Sequence, residues 1–177
     1  MKKPQLLKDF LLSTITDLQH NPDRLLIFVD DGKIRNTLAT GLSFEYEYTL
    51  TLILTNYVGD LATVSVPLFD WLRIHQSEIL ANLDKAHQGI SFEAEILNHD
   101  SVDLIIKIPL TERVVVKRQN QQITIDYPAE PQCQTAETAK QVIMHNTDGS
   151  VLASWLSINA DDYKVVEVPL PKRRRYE

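Results

Sequence analysis

The 177-residue chain is poor in the residues that build most small-molecule sites: one cysteine, five glycines and two methionines. A lone Cys133 excludes an internal disulfide framework and any cysteine-cluster metal site. With so few glycines there is no GxGxxG fingerprint, no phosphate-binding GxxxxGK loop and no GxSxG elbow. His20, His75, His87, His99 and His145 are scattered, with no i,i+4 pair and no HExxH. The expectation is no catalytic residue, no metal and no cofactor. No stretch approaches the roughly 18 uncharged apolar residues of a membrane span. The start, MKKPQLLKDFLL, is basic and then apolar, but Lys8 and Asp9 interrupt it and no small-residue cleavage site follows. A cytoplasmic protein without a signal peptide is expected.

Net positive charge is also missing. Eighteen Lys and Arg against 24 Asp and Glu give −6, which argues against a nucleic-acid-binding surface over the bulk of the chain. Lys172, Arg173, Arg174 and Arg175 supply four of those bases. Removing the last six residues takes away four bases and one acid, leaving an acidic body of −9. The terminal KRRR is thus a candidate for binding nucleic acid or an acidic protein surface, against the alternative of a solvated tail.

What is present is hydrophobic patterning. Leu7, Phe10, Leu11, Thr14, Ile15 and Leu18 make a helical stripe that predicts one helix over residues 4–20, stopped by Asn21-Pro22. Leu25 to Val29 read as a strand running into Asp30-Asp31-Gly32, a turn that suits a hairpin into residues 34–38. Residues 42–55 alternate cleanly. Phe44, Tyr46, Tyr48, Leu50, Leu52 and Leu54 fall on one face; Ser43, Glu45, Glu47, Thr49, Thr51 and Thr55 fall on the other. This strand is about twice the usual length, so an overhanging edge is expected. Residues 60–80 keep helical spacing, with Pro67 forcing a late start or a kink. Two more alternating strands follow, with Phe92, Ala94 and Ile96 opposite Glu93 and Glu95, then Leu104, Ile106 and Ile108 opposite Asp103 and Lys107. Pro109 should interrupt the second, leaving Val114 to Val116 as a bulged or edge strand.

The fold class is therefore α+β, a mostly antiparallel sheet packed by two helices, with a core over residues 1–120. Residues 121–140 hold two prolines and read as a linker. Residues 141–177 form a C-terminal β-hairpin appendage around Asn146-Thr147-Asp148-Gly149, with the basic tail and a further short strand near Val165 to Val168.

Paired carboxylates occur at Asp30/Asp31, Glu45/Glu47 and Glu93/Glu95. Glycosidase-type chemistry needs two carboxyls with separated pKa values in a cleft. The Glu pairs stand ~7 Å apart on one strand face, but that is the solvated face, where charges belong in any case. Trp71 lies on an apolar helix face and belongs in the core. Trp155 lies where little core is at hand and is a candidate anchor for a partner.

The order of segments resembles the tail completion protein R family of contractile-tailed temperate phages and their prophages. The resemblance rests on FVDDGKIRNTLATGLSFEYEYTLTLILTNYVGD, VPLFDWLRIHQSEIL, GISFEAEILNHDSVDL and the LTERVVV run at Leu110 to Val116, collinear over about residues 4–118. It implies a tail-terminator-like α+β protein that caps tube and sheath at the head-proximal end. It also implies a hexameric ring of identical copies. The implied partners are tube, sheath and head–tail connector proteins, with DNA only as passing cargo and no membrane. The implied location is the host cytoplasm during assembly and then the virion tail. A ring that passes DNA needs walls that do not hold phosphate. Glu45, Glu47, Glu93, Glu95 and Asp103 are the candidate lumen residues. The alternatives are a small cytoplasmic adaptor domain, or a carboxylate-based hydrolase.

Overall fold

The alternation in residues 42–55 becomes the centre of one antiparallel sheet in the computed structural model, which describes residues 1–36, 41–81, 89–96, 101–119, 121–130 and 139–157. Strand β2 (Phe44–Tyr57) pairs with β1 (Leu25–Asn36) on one side and with β4 (Val102–Gln119) on the other. Strand β3 (Ser91–Ile96) pairs with the first third of β4, and β5 (Gln122–Asp126) with its last five residues. Strand order is β1-β2-β4-β3, with β5 also on β4. The long strand is thus central and does not overhang.

Helices α1 (Lys3–Thr14) and α3 (Leu61–His75) cover the face bearing Tyr48, Leu50, Leu52 and Leu54. Their stripes Leu7/Leu11 and Val64/Leu68/Leu72 are buried with Leu104, Ile106, Ile108 and Leu110. Each such fully buried side chain contributes about 1.5–3 kcal/mol relative to exposure. Helix α4 (Ser77–Ala81) adds Ile79. The hairpin of β6 (Lys140–His145) and β7 (Val151–Ser157) packs on the helices, with Ala153 fully buried. The result is a mostly antiparallel α+β fold with a small C-terminal hairpin, as its patterning implies.

Four local expectations need correction. The first helix is broken at Ile15, which adopts extended angles (φ −89°, ψ 120°), bridges to Ala153, and starts a separate α2 (Thr16–His20). Thr14, Ile15 and Thr16 are all β-branched, so the hairpin's bridge is won at the weakest point of the helix. Asp30-Asp31-Gly32 is a β-bulge within β1, not a hairpin turn; Asp31 takes the positive φ of 52°. The helix does not start late at Pro67: α3 begins at an Asp60 cap, whose Oδ1 accepts from the Ala62 N–H at 2.7 Å, and holds Pro67 inside it.

Pro109 lies within β4 and does not end it. The Thr111 N–H leaves β4 on the β3 side, reaching Gln76 Oε1 at 3.2 Å. Pro109, two residues earlier, faces the same way, beyond Ser91, the residue of β3 that pairs with Lys107. Its missing N–H therefore removes no ladder bond. The suggested strand near residue 165 lies outside the described residues.

Candidate functional site

Helices α1 and α3 cover one face of the sheet; Gln76 to Ile79 reach round the β4 edge to Thr111 and Glu47, and the rest of the other face has no helix on it among the described residues. Register places Glu45, Glu47, Glu93, Glu95 and Asp103 together on that open face: Glu45 and Glu47 lie opposite Arg113 and Thr111, Glu93 opposite Ile105, Glu95 opposite Asp103. Asp30 joins them, accepting from Thr51 Oγ1 at 2.8 Å. Lys33, Arg35, Lys107 and Arg113 share this part of the face. Arg35 binds Glu45 at 2.6 Å and Lys107 binds Glu93 at 3.0 Å. Asp103 accepts the Asn56 N–H at 2.8 Å. Glu47 and Glu95 are both exposed. Between the acids, Leu26, Ile53 and Ile105 form one cross-strand row, with Phe28 49% exposed beside it. The face is acidic at its Glu95/Asp103 end, mixed in charge at its Glu45/Glu47 end and apolar across its middle.

The covered face holds a carboxylate that the sequence pattern does not single out. Glu112 lies on β4 at 4% exposure. It accepts from the Lys2 N–H (2.7 Å), the Lys3 N–H (3.2 Å) and the Tyr48 hydroxyl (2.5 Å). A buried anion thus caps the start of α1, where free N–H groups and the helix dipole favour negative charge. Lys3 Nζ donates to Gln76 Oε1 (2.7 Å), the Thr111 carbonyl (2.7 Å) and Glu130 Oε1 (2.9 Å). This network ties α1, the end of α3, β2, β4 and residues 127–130. Burial, reinforced by Glu112, pushes the Tyr48 hydroxyl far above its ordinary pKa. His75, stacked on Trp71 at 4.3 Å, is held below the ordinary histidine value by burial and then by Lys3. A cleft of about 230 Å³ beside Lys2, His75, Arg113 and Tyr127 opens onto the network. Its charges are committed to caps and pairs, a structural arrangement. The signal for Glu112 was the alternation of β4 itself: continued through Pro109, it puts residue 112 inward.

Trp155 is 7% exposed, and its indole N–H donates to Asp70 Oδ2 at 2.7 Å. Within the chain it seats the C-terminal hairpin on α3. The hairpin's other side carries Ile143 and Leu156, 51% and 65% exposed. Lys172, Arg173, Arg174, Arg175, Cys133, His87 and His99 lie outside the described residues. Among those described, no group of three or more His, Cys, Asp or Glu is placed to hold a metal ion, and no helix is long and apolar enough to cross a membrane.

Comparison with known proteins gives two matches. A family model described as P2 phage tail completion protein R (GpR) matches residues 1–131. The chain is 37% identical over 155 residues to tail completion protein R of Escherichia phage P2, covering 88% of this chain and 99% of that protein. No solved structure matches. The family model spans the whole sheet, its covering helices and the Glu112 network, and the relative's match reaches beyond it, so the chain belongs to the P2 phage tail completion protein R family, a family of phage structural proteins.

Proposed function

We propose that this protein completes a phage tail as a ring of identical copies, six in number, at the head-proximal end of the tube and sheath. The ring presents the surface to which head–tail connector proteins join, and DNA passes through it as cargo. It assembles in the host cytoplasm and ends in the virion tail. The open sheet face lines the lumen, and its acids do the work there.

One observation carries this reading: the five acids Glu45, Glu47, Glu93, Glu95 and Asp103 share the sheet face that α1 and α3 leave uncovered. Phosphate contacts from Lys or Arg would make a conduit sticky and salt-sensitive. Here Arg35 and Lys107 are tied to Glu45 and Glu93, so the cations of the face are partly neutralised while Glu47 and Glu95 stay exposed. The outward side of the hairpin, with Ile143 and Leu156, and the basic Lys172 to Arg175 segment are the surfaces assigned to tail and neck partners, with Trp155 anchoring the hairpin from behind.

The test is a Glu47→Lys/Glu95→Lys double variant supplied to a phage lacking the wild-type gene. Tails should complete normally by electron microscopy. DNA delivery should fall on the order of tenfold and recover as salt rises, because phosphate contacts weaken with salt. Unchanged delivery at all salt concentrations would overturn the lumen assignment.

A further inference from the structure

We propose that copies of this chain join head to tail through their sheet edges, β1 of one protomer pairing with β3 of the next. This rests on the ring reading and names the joint that would build it.

The first observation is strand polarity. Across β1-β2-β4-β3 the sheet is four strands wide and antiparallel throughout. Its two edge strands therefore run in opposite directions. A second copy, moved sideways without being turned over, brings its β3 against β1 in the antiparallel sense. An assembly so built keeps every protomer the same way up. It is heterologous, and it closes when the rotation allows.

The second observation is where the free backbone groups point. The Thr111 N–H leaves β4 on the β3 side, so even-numbered residues of β4 face β2. Following the register, Leu26 and Phe28 face β2, while Ile27 and Val29 turn their N–H and C=O to the open edge; the Leu25 N–H is held by the Pro22 carbonyl. By the same count Phe92, Ala94 and Ile96 turn theirs to the other edge. Both sets lie on the helix-covered side of the sheet. Pairing them keeps the covered side covered and the open side open. Ile27 opposite Ala94 puts Val29 opposite Phe92 and Leu25 opposite Ile96, all apolar.

The third observation is that, among the described residues, no strand pairs with the outer edge of β1 or of β3. β1 runs unbroken for six residues, Leu25–Asp30, before its bulge, and β3 is six residues long. Edges normally carry lysine, proline or inward charge against unwanted pairing. Leu25 to Val29 has none of these, and Phe92 and Ile96 stand 58% and 78% exposed.

Proline discriminates cleanly, because at a free-edge position it removes only the N–H that a neighbour would use. Val29→Pro and Ala94→Pro should each keep the wild-type far-UV spectrum and thermal transition. By analytical ultracentrifugation the wild type should form a ring, and each variant alone a monomer. Their equimolar mixture should give a 1:1 dimer, since one supplies an intact β3 edge and the other an intact β1 edge. Val29→Lys and Ala94→Lys repeat the design should proline unfold either variant. A ring that survives both substitutions overturns the edge joint and leaves the ring standing. An Ala94 variant that dimerises alone shows two-fold β1–β1 pairing and overturns it also. A wild type that stays monomeric with or without tail tubes overturns the joint and the ring together.

Discussion

The two faces of the sheet keep carboxylates in opposite circumstances. Glu112 points into the protein, 4% exposed, and accepts three hydrogen bonds from α1 and Tyr48. Glu47 and Glu95, placed on the other side of the same sheet, are exposed. The chemistry is identical and the roles are not. A buried carboxylate is tolerated only where donors surround it, so Glu112 is bound to the fold. On the open face Glu45 and Glu93 pair with Arg35 and Lys107 and Asp103 holds the Asn56 N–H, while the exposed Glu47 and Glu95 are available to what passes or docks outside. Acidity in the composition therefore says little about function until each carboxylate is assigned to a face.

The sharpest way to break that contrast is to remove the inner carboxylate. Glu112→Ala leaves two backbone N–H groups and a buried hydroxyl without their acceptor, each costing ~1–3 kcal/mol. Urea denaturation should show a loss of about 3 kcal/mol in total, within the range for breaking buried polar networks. Glu112→Gln retains one acceptor oxygen and should lose less. A change below ~1 kcal/mol for the alanine variant would mean that α1 starts without this cap and that the contrast is one of exposure alone.

A smaller effect should appear on titration beside the same network. Burial and Lys3 depress the folded-state pKa of His75, while Glu130 opposes them. The unfolded chain then takes up the proton first as pH falls below the ordinary histidine value. Stability associated with His75 is full above that value and is lost as pH drops from there toward the folded pKa. His75→Gln should flatten the decline in stability between pH 7 and pH 5 relative to wild type, read by thermal denaturation at each pH. Parallel curves would show that Glu130 cancels the other two influences.

Residue patterning made the sheet legible because alternation of period two is imposed by the pleat: Phe44 to Leu54 and Leu104 to Ile108 could hardly lie otherwise. It also placed Glu45, Glu47, Glu93, Glu95 and Asp103 on outward positions, though not on one common face, which needed the pairing of β2, β3 and β4. The misses have a single character. Ile15 leaves its helix for a bridge to Ala153, 138 residues away in sequence; Pro109 is permitted only because β3 has ended beside it; Trp155 is buried only because Asp70 and α3 lie against it. Each was decided by a distant partner, which local propensity does not encode. Glu112 differs. Its inward position follows from parity alone, and assuming that proline ends a strand concealed it.

The outer acids give the smallest expected effect on stability, and that smallness is the point. Glu95→Gln removes a charge opposite Asp103 and Glu47→Gln one opposite Lys33, and both leave the Arg35–Glu45 and Lys107–Glu93 pairs in place. Exposed substitutions of this kind stay within about 0.5 kcal/mol; at low salt the Glu95 change is mildly stabilising through relief of repulsion and the Glu47 change mildly destabilising through lost attraction. Urea titration of each variant at low and high salt checks this: both effects should fade as salt rises. A loss above ~1 kcal/mol that persists in salt would show that these carboxylates are structural after all. The difference between the two faces would then vanish, and the acidic surface would need no passing or docked partner to account for it.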